Sequence, residues 1–509
     1  MTAMNSLPEI NLCVVQPAGY VHSLGLLDAA LYFRWMFERL GAQVRVSKNR
    51  LRYDAVNLVF GAHLGFEPAL RRTHSCVFVN LEQLGEGGAQ VGAEYLQLLK
   101  TSAVIEYEAR NVRAYAADPL DVPIVGFGHA AYLQDAAPRA LSERPIDLLF
   151  IGSLNERRMR LIERVEACGR SVTLFDGPLY GPERDAYIAN ARAVLNCHFY
   201  ESARFEQVRA FQALSLGTPV VSERSHATQA DAAFEQSVSW FDESNLDDFF
   251  RNHFPSPAFE RESQARLEAF ASADPIDAYA DVLAFCSGVH SVQSHARSRE
   301  RAVVRQLHLG SGKDYKPGWF NLDVLEAALP DAVLDLSREH AFPLDIDSPQ
   351  AGPVRLAAGE VEIVYANNVL EHVPDLPGLM TRCLQLLRVG GLFQIEVPHE
   401  RAPTAWQDPT HVRALNENSW IYYTDWFWYL GWFEHRFSLR AFEYLDASLK
   451  PCTREAAAFM RVMLEKVETT PRERMVARTM RADFGPGLEG SADARAHMPR
   501  STSDAVLAQ

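Results

Sequence analysis

The stretch Leu307-His308-Leu309-Gly310-Ser311-Gly312 is a short apolar run that ends in two glycines one residue apart. The segment Trp319-Phe320-Asn321-Leu322-Asp323 follows and places a carboxylate a short way after Gly312 in the chain. A buried strand, a glycine turn and a second strand ending in an acid indicate a doubly wound α/β sheet that holds a nucleoside. The glycines allow close approach of the backbone, because no Cβ intervenes. The spacing disfavours a dinucleotide, since a third glycine is missing and the acid comes early.

Further strand-like segments follow in a regular order. The first ends near Asp335, the second is followed by Leu370-Glu371-His372, and the third comes after a turn at Gly390-Gly391. These segments are residues 333–336, 361–368 and 392–398. Strands that alternate with helical or loop segments predict a parallel sheet.

This order of motifs resembles the class I S-adenosylmethionine-dependent methyltransferases. The match is to the group with LGSG, a GW-x-NLD strand, LEH after the fourth strand and a GG turn before a strand ending in VP, and it covers roughly residues 304–470. The resemblance implies S-adenosylmethionine as cofactor. It places Gly310 and Gly312 at the methionine part of the cofactor, Asp323 at the ribose and Asp335 near the adenine. Asn367 or Asn368 would lie near the sulfonium, and Glu371 and His372 would orient the loop after the fourth strand. The alternative is a sheet that persists without binding cofactor.

The unit Asp408-Pro409-Thr410-His411-Val412-Arg413 also occurs in that methyltransferase group. By the resemblance, Asp408 and His411 lie near the methyl acceptor, where a histidine could take the proton of a sugar hydroxyl. The alternative is that His411 only anchors the insertion. The aromatic-rich stretch 420–437 predicts a packed subdomain, a lid whose rings stack on sugar faces, or both.

The amino-terminal part repeats strand, loop and helix. Residues 10–15 form an apolar run, and residues 24–40 carry apolar positions at helical spacing. After a polar connector at 138–145, a strand runs into Gly152 and a helix with Arg157, Arg158 and Arg160 in its first turns. A glycine turn with a helix N-terminus suits phosphate, and arginine adds bidentate hydrogen bonds.

The segment Phe205 to Glu223 predicts a helix capped by Gly217 and followed by Thr-Pro and a short strand. It resembles the nucleotide-sugar half of two-lobed (GT-B) glycosyltransferases. The likeness covers residues 8–285 as an architecture and 146–224 by motif, and it implies a nucleoside diphosphate sugar as co-substrate. The residues that it assigns to the donor are Gly152, Arg157, Glu206, Arg209, Gln212 and Thr218. Arg209 would face the diphosphate; the alternative is a solvated helix arginine.

Two positions depart from that family. Gln212 stands where a glutamate commonly holds the donor ribose, and Arg204 stands where a second glutamate is common. An amide still bonds hydroxyls but carries no charge. Glu206 or Glu201 would substitute for the missing acid. The alternative is a degenerate lobe without catalysis.

His22 lies in the first loop of the amino-terminal lobe, where it could position an acceptor or act as a base, although a lone loop histidine often does neither. His63 and Glu82 are weaker candidates of the same kind. We expect no metal, because residues 1–285 contain no D-x-D and basic side chains can stabilise a leaving diphosphate. Residues 345–347 form a D-x-D that predicts a solvated loop.

The whole chain has 509 residues, which predicts two or three domains. A net charge of −15 disfavours a nucleic-acid partner. Seven scattered cysteines fit a reducing compartment. The first residues do not resemble a signal peptide, and no apolar run reaches the roughly 20 residues of a membrane span. We therefore predict a cytoplasmic protein, with peripheral membrane attachment through a partner left open.

The predicted fold class is α/β: a two-lobed GT-B-like pair of Rossmann-type domains, then a class I methyltransferase Rossmann-like domain with an aromatic-rich insertion. The predicted domains are 1–140 (acceptor side), 141–285 (nucleotide-sugar side), 286–303 (linker), 304–470 (methyltransferase) and 471–509 (tail, partly disordered). The functional hypothesis is a bifunctional enzyme of surface polysaccharide biosynthesis that glycosylates and O-methylates a glycan or lipid-linked glycan. The alternative is a methyltransferase whose front half is a non-catalytic glycan-binding module. A pure scaffold is disfavoured by the intact glycines and Asp323.

Overall fold

The computed structural model describes residues 7–116, 122–134, 139–175, 179–200, 202–297 and 300–482. The chain divides into two compact units, Met1–Arg297 and Ser298–Gln509. Parallel sheets in both units confirm the predicted α/β class.

The first lobe of the amino-terminal unit is built on a five-stranded parallel sheet. Its elements are β1 (Ile10–Val14), α1 (Gly25–Arg39), β2 (Val44–Lys48), β3 (Val56–Phe60), β4 (Ser75–Asn80), α2 (Ala93–Lys100), β5 (Ala103–Glu106) and α3 (Ala109–Val112). The strand order is β2-β1-β3-β4-β5. Because the order reverses beside β1, the loops after β1 and β3 border the crevice where open α/β sheets bind ligands.

The second lobe repeats this plan in the same unit. Its elements are β6 (Ile146–Ile151), α4 (Glu156–Ala167), β7 (Val172–Phe175), α5 (Gly181–Ala189), β8 (Ala191–Asn196), α6 (Gln207–Ser215), β9 (Val220–Glu223), α7 (Ala232–Ser237), β10 (Ser239–Phe241), α8 (Leu246–Asp248), α9 (Pro257–Ser272) and α10 (Ile276–Ala296). The strands are parallel in the order β10-β9-β8-β6-β7. The predicted glycine cap of α6 is confirmed, since Gly217 follows it at φ 72°.

The predicted linker at 286–303 is wrong over its first part, because residues 286–296 continue α10. This helix packs on the first lobe, where Tyr279 contacts the rings of Tyr32 and Phe33, and Gln293 accepts a hydrogen bond from the Cys76 backbone N–H (3.0 Å). Its serine-rich end looks like a linker because most of its surface is polar. The division between the units falls after Arg297.

The carboxyl-terminal unit contains a three-stranded and a seven-stranded sheet. Its elements are β11 (Ala302–Val303), β12 (Gln306–Leu309), β13 (Phe320–Asp323), β14 (Ala332–Val333), β15 (Leu344–Ser348), β16 (Gly352–Leu356), β17 (Val361–Asn367), α11 (Leu376–Leu386), β18 (Leu387–Pro398), α12 (Thr404–Gln407), β19 (His435–Leu445), β20 (Phe459–Glu468) and α13 (Pro471–Ala482). The large sheet has the order β14-β13-β12-β17-β18-β20-β19, and β20 is antiparallel to both of its neighbours. The small sheet has the order β11-β16-β15.

The structure corrects three local expectations in this unit and describes only part of a fourth. The third strand ends at Val333, so Asp335 lies in the following turn. Residues 345–347 form part of β15 instead of a loop, and Asp345 pairs with Arg355 at 2.7 Å. The Gly390-Gly391 turn is an irregular step inside β18. In the predicted tail, residues 471–482 are helical, and residues 483–509 lie outside the described residues.

Candidate functional site

The glycine turn after β12 is held by the acid that ends β13. Gly310 and Gly312 have φ values of 59° and 45°, and a Cβ on Gly310 would stand 2.4 Å from a methyl group of Val369. The Asp323 carboxylate, only 7% exposed, accepts hydrogen bonds from the backbone N–H groups of Gly312 (2.8 Å) and Leu325 (2.9 Å). Each carboxylate oxygen can accept a further bond, so Asp323 can still hold ribose hydroxyls.

The loop between β12 and β13 is organised by Asn321, which the motif did not single out. Its amide nitrogen donates to the carbonyls of Lys316 (3.0 Å) and Trp319 (2.9 Å), and its backbone N–H donates to Asp331 (2.6 Å). His308 makes a further contact with its side-chain oxygen (3.0 Å). The signal in the sequence was a polar residue between two large apolar ones, Phe320 and Leu322, in a strand.

Three other predicted cofactor residues follow neighbouring strands. Asn367 ends β17, and Asn368 follows it at φ 52° with an exposed side chain. Because β13, β12 and β17 are parallel neighbours, Asp323, Gly310 and Asn367 lie at one edge of the sheet. Asp335 lies beyond β14 and accepts hydrogen bonds from the backbone N–H and the hydroxyl of Ser337, so it stabilises a turn.

The Asp408–Arg413 unit packs on the loop that follows β17. The Val412 backbone N–H donates to the Glu371 carbonyl (2.9 Å), and the Arg413 guanidinium donates to the Val373 carbonyl (2.7 Å). His411 Nε2 then lies 4.0 Å from a Glu371 oxygen and 4.0 Å from an Asp408 oxygen. The structure thus brings together Glu371, Asp408 and His411, although the first belongs to a segment far from the other two in the sequence.

Glu371 is an unusual acid. It is 2% exposed, and neither carboxylate oxygen has a hydrogen-bond partner among the described residues. Burial raises the pKa of this carboxyl to about 7. Buried acids in native proteins are nearly always hydrogen-bonded, so this arrangement requires an explanation.

The aromatic stretch divides into a buried and an exposed set. The buried rings are Trp420, Tyr423, Phe427 and Trp432. The exposed rings are Tyr422, Trp426 and Tyr429, and the Tyr422 ring contacts the other two at 5.3 and 5.9 Å. Both sequence interpretations therefore have side chains available, a packed subdomain and a stacking surface.

In the second lobe, two arginines meet at the glycine that follows β6. Gly152 has φ 143°, and a Cβ there would lie 2.9 Å from Arg209 and 3.5 Å from Arg158. Arg158 is 2% exposed and donates to the carbonyls of Ser153 and Cys197, both at 2.8 Å. Burial, and then the charge of Arg209, lower the pKa of Arg158 to about 10.

Glu206 contributes a carboxylate beside this pair of guanidinium groups. Glu206 lies 3.5 Å from Arg158, and Arg209 donates to Asn196 (2.8 Å). Two adjacent cations at a glycine turn, beside the N-terminus of α4, are features that favour the binding of an anion. The sequence pattern did not distinguish Arg158 from its neighbours, because its burial depends on the contact with β8.

Arg157 and Thr218 do not join this pair. Arg157 forms a bidentate ion pair with Glu223, one contact being 2.9 Å. The Thr218 hydroxyl donates to the Ile188 carbonyl (2.9 Å) and accepts from Arg144 (2.8 Å). Because Thr218 precedes β9 whereas Gly152 follows β6, they lie at opposite edges of a parallel sheet. The predicted donor role of Thr218 therefore has no support in the geometry.

Gln212 and Arg204, the two departures from the family pattern, have different surroundings. Gln212 is 5% exposed, and its amide nitrogen has no partner among the described residues. Arg204 is 7% exposed and reaches the first lobe, where it donates to the Leu84 carbonyl (2.6 Å) and the Asn111 side chain. Arg204 therefore connects the two lobes. Glu201, the other substitute acid, lies outside the described residues.

The candidates of the first lobe are spread along its crevice edge. His22 is exposed in the short helix Val21–Leu24, and its carbonyl accepts a hydrogen bond from Tyr180 (3.4 Å). His63 lies 3.5 Å from Glu82. Burial lowers the pKa of His63 and, followed by the charge of Glu206, raises the pKa of Glu82, so both favour their neutral forms.

Glu106, at the end of β5, is a further buried acid that the sequence pattern did not indicate. It is fully buried and accepts hydrogen bonds from Asn80 (3.0 Å) and Asn111 (2.9 Å). Burial raises the pKa of its carboxyl to about 7. Since Asn111 also accepts from Arg204, this network is part of the connection between the lobes.

Within the described part of the chain, we find no helix that combines the length and the apolar character required for a membrane span. The seven cysteines are free thiols, and six of them are buried.

No protein-family model matches the chain, and a search of curated proteins gives no match. Among solved structures, it is similar to an S-adenosylmethionine-dependent methyltransferase from Mesorhizobium loti (17% identity, 33% of this chain and 93% of that chain, TM-score 0.22). It is also similar to a glycosyltransferase from Rickettsia africae (8%, 55% and 98%, TM-score 0.36). A third match is sucrose-phosphate synthase from Thermosynechococcus elongatus (12%, 56% and 100%, TM-score 0.37). The solved structures that resemble this chain thus include both of the classes that its motifs predict.

Proposed function

We propose that this protein is a bifunctional transferase. The carboxyl-terminal unit would methylate a glycan hydroxyl with S-adenosylmethionine, and the amino-terminal unit would transfer a sugar from a nucleoside diphosphate donor to a glycan or lipid-linked glycan. The observation that carries the proposal is the Gly310–Gly312 turn held by the buried Asp323 carboxylate.

Residues at one sheet edge fit S-adenosylmethionine, which supplies an electrophilic methyl group when bound. A Cβ at Gly310 would stand 2.4 Å from a methyl group of Val369, so glycine at this position keeps the turn close to the loop that follows β17. Asp323 keeps unused acceptor capacity for ribose hydroxyls, and Asn367 and Asn368 end the neighbouring strand. Asp408 and His411 remain the predicted acceptor-side residues, since they pack over the loop after that strand.

The donor half of the proposal rests on Arg158 and Arg209. Their adjacent charges suit the two phosphates of a nucleoside diphosphate, and the N-terminus of α4 adds to the same field. Stabilising the leaving diphosphate in this way uses protein cations alone. Gln212, on the same helix as Arg209, would bond the donor ribose as a neutral amide.

The second candidate function keeps only the methyltransferase active. The position of Arg204 favours it, because a family glutamate is replaced by a residue that connects the two lobes. In this case the amino-terminal unit would bind glycan without transferring sugar. In both cases a shared chain raises the local concentration of the acceptor near the methyltransferase unit.

We place the activity in the cytoplasm and in surface polysaccharide biosynthesis. The free, mostly buried thiols are typical of a reducing compartment. The pathway is inferred from the resemblance of the two halves to known families.

The test is calorimetry of the purified chain with S-adenosylhomocysteine, and separately with UDP, GDP, dTDP and CMP. We expect one binding event for the thioether and one for a single diphosphate nucleotide. Arg209→Ala should weaken nucleotide binding about tenfold or more, since a hydrogen bond to a charged group contributes about 1.5–3 kcal/mol. The matched control is Arg160→Ala, on the exposed side of α4.

The outcomes separate the two hypotheses. Binding of the thioether alone would support the glycan-binding alternative. Binding of a nucleotide that Arg209→Ala and Arg160→Ala leave equally strong would contradict the donor site. Absence of thioether binding by the folded protein would refute the methyltransferase proposal.

A further inference from the structure

We propose that Glu371, His372 and His411 bind a divalent transition-metal ion, with Zn²⁺ the best fit. The sequence interpretation expected no metal in this protein. The inference is independent of the proposed methyl transfer, because it concerns the binding of an ion that can be measured without cofactor or acceptor.

Two segments bring the three side chains together. Glu371 and His372 belong to the short helix Leu370–His372 after β17, and His411 belongs to the insertion that packs on it. One candidate ligand atom from each residue can be chosen so that all three lie within 4.8 Å of one another. The two imidazole rings are 4.6 Å apart between centroids and steeply inclined at 75°. Two nitrogens and a carboxylate therefore converge on one small volume.

The surroundings of His411 determine which nitrogen carries its proton. Its Nδ1 lies 3.0 Å from the Ala405 carbonyl oxygen, which can only accept a hydrogen bond. Nδ1 therefore bears the hydrogen, and in the neutral ring Nε2 keeps its lone pair. This Nε2 is the atom that lies 4.0 Å from Glu371. A histidine that donates to a carbonyl from one nitrogen and presents the other is typical of metal ligands.

The tautomer of His372 is assigned in the same way, through its contact with Thr410. The Thr410 hydroxyl donates its single hydrogen to Asp408 (2.6 Å), so its oxygen accepts from His372 Nδ1 (2.9 Å). Nδ1 of His372 is then protonated, and Nε2 keeps its lone pair. Asp408 and Thr410 thus act as positioning residues, since they orient the ring and select its tautomer.

Glu371 provides the independent observation that a ligand belongs here. Its side chain is 3% exposed, and neither oxygen has a hydrogen-bond partner among the described residues. Its backbone carbonyl accepts from Val412 N–H, which holds the residue against the insertion. A buried carboxylate without partners is costly, and a bound cation is one of the few ways to compensate it.

The ligand set indicates the kind of ion. Two imidazoles and one carboxylate suit Zn²⁺ and other transition metals, whereas Mg²⁺ and Ca²⁺ prefer oxygen ligands alone. Ligand atoms at about 2.0–2.2 Å from Zn²⁺ are roughly 3.4 Å apart in a tetrahedron, so the side chains would close inward by about 1 Å. Three protein ligands leave a fourth position open.

If the proposed methyl transfer holds, the open position would let the ion bind the acceptor hydroxyl. A hydroxyl bound to Zn²⁺ loses its proton more readily than a free one. In this arrangement His411 acts as a ligand and no longer as the base that the sequence motif predicts. The acceptor proton would pass to solvent.

The experiment uses the full-length chain, purified without a polyhistidine tag and freed of metal with EDTA. It is titrated calorimetrically with ZnCl₂, MnCl₂ and MgCl₂, and the retained metal is counted by elemental analysis after gel filtration. We expect one Zn²⁺ per chain, with Mg²⁺ bound about 100-fold more weakly or worse. X-ray absorption of the zinc-loaded protein should show two imidazole ligands.

Variants test the assignment of the ligands. Glu371→Gln and His411→Ala should each weaken Zn²⁺ binding about 100-fold or more, and Thr410→Val should weaken it about 10- to 100-fold by releasing the His372 ring. His340→Ala is the control, because it removes another imidazole of this unit outside the cluster. Unchanged circular dichroism and a cooperative urea unfolding transition would show that the variants fold.

Two results would overturn the inference. One is a folded wild-type chain that retains no transition metal in any of the titrations. The other is Zn²⁺ binding that Glu371→Gln and His411→Ala leave as strong as in His340→Ala. Failure of the methyltransferase proposal would appear separately, as absence of thioether binding.

Discussion

Replacing Asp323 with asparagine tests the proposed cofactor site with the smallest change of shape. The carboxylate accepts from two backbone N–H groups, at 2.8 and 2.9 Å, while it is 7% exposed. Asparagine has only one oxygen, so its NH₂ group would face either Gly312 N–H or Leu325 N–H. Both donors are only partly buried, so the expected loss in the free energy of unfolding lies at the lower end of the about 1–3 kcal/mol that an unsatisfied buried donor costs.

The effect on ligand binding follows from the same geometry. A ribose hydroxyl that loses a charged acceptor forfeits about 1.5–3 kcal/mol, which is about 10- to 150-fold in the dissociation constant of S-adenosylhomocysteine. Calorimetry measures the binding, and urea unfolding measures the stability. Asp345→Asn, an exposed isosteric change in β15, serves as the control. If folded Asp323→Asn binds the thioether within twofold of wild type, the ribose assignment is refuted.

Three further predictions concern backbone geometry, pH and the connection between the lobes. In Gly310→Ala the new Cβ would have a left-handed φ and would stand 2.4 Å from a methyl group of Val369, whereas in Gly318→Ala the φ of 82° is the only source of strain. Gly318→Ala should therefore cost roughly 1–2 kcal/mol in urea unfolding, and Gly310→Ala should cost more. Equal losses would contradict the close contact at Gly310. Burial raises the pKa of Glu106 from 4.5 to about 7, so this group should lower the free energy of unfolding by about 2 kcal/mol between pH 5 and 7. Glu371, whose pKa burial also raises to about 7, contributes its own fall in the same window. Glu106→Gln should therefore reduce the total fall by about 2 kcal/mol in urea titrations at several pH values, and an unchanged fall would refute the assignment. Arg204→Met removes the donor to the Asn111 side-chain oxygen and to the Leu84 carbonyl, so it should lower the free energy of unfolding by about 3 kcal/mol. An unchanged melting temperature would argue against a connection between the lobes.

Much of the fold could be predicted because its signals are local. Helical spacing of apolar residues predicts α1, and a glycine ends the helix at its C-terminus. The Gly310–Gly312 turn and Asp323 lie close together in the sequence, so their spacing alone predicts a nucleoside-binding pattern. Alternation of strands with helices or loops was enough for the α/β class, because each repeat must bury its strand in a parallel sheet.

The candidate sites were harder to predict from the sequence than the fold, and the reason is physical. Strand order decides which loops meet, and no local pattern encodes it. Thr218 fits a donor motif, yet it precedes its strand and lies at the opposite edge from Gly152. Arg157 and Arg158 are adjacent in the sequence, but Arg158 is buried against the rings of Phe150 and Phe199 and lies near Arg209 at Gly152.

Local sequence patterns were enough to predict the separate elements: the glycine turns, the acid at the end of a strand, the strands and most helices. Tertiary structure alone decided that α10 returns to the first lobe and that Glu371 lies beside His411, which belongs to a much later segment of the chain. Such contacts depend on how distant surfaces pack together, and composition can even mislead, as in the serine-rich end of α10. A buried acid without partners and two histidines with defined tautomers emerge only when the insertion is placed on the loop after β17.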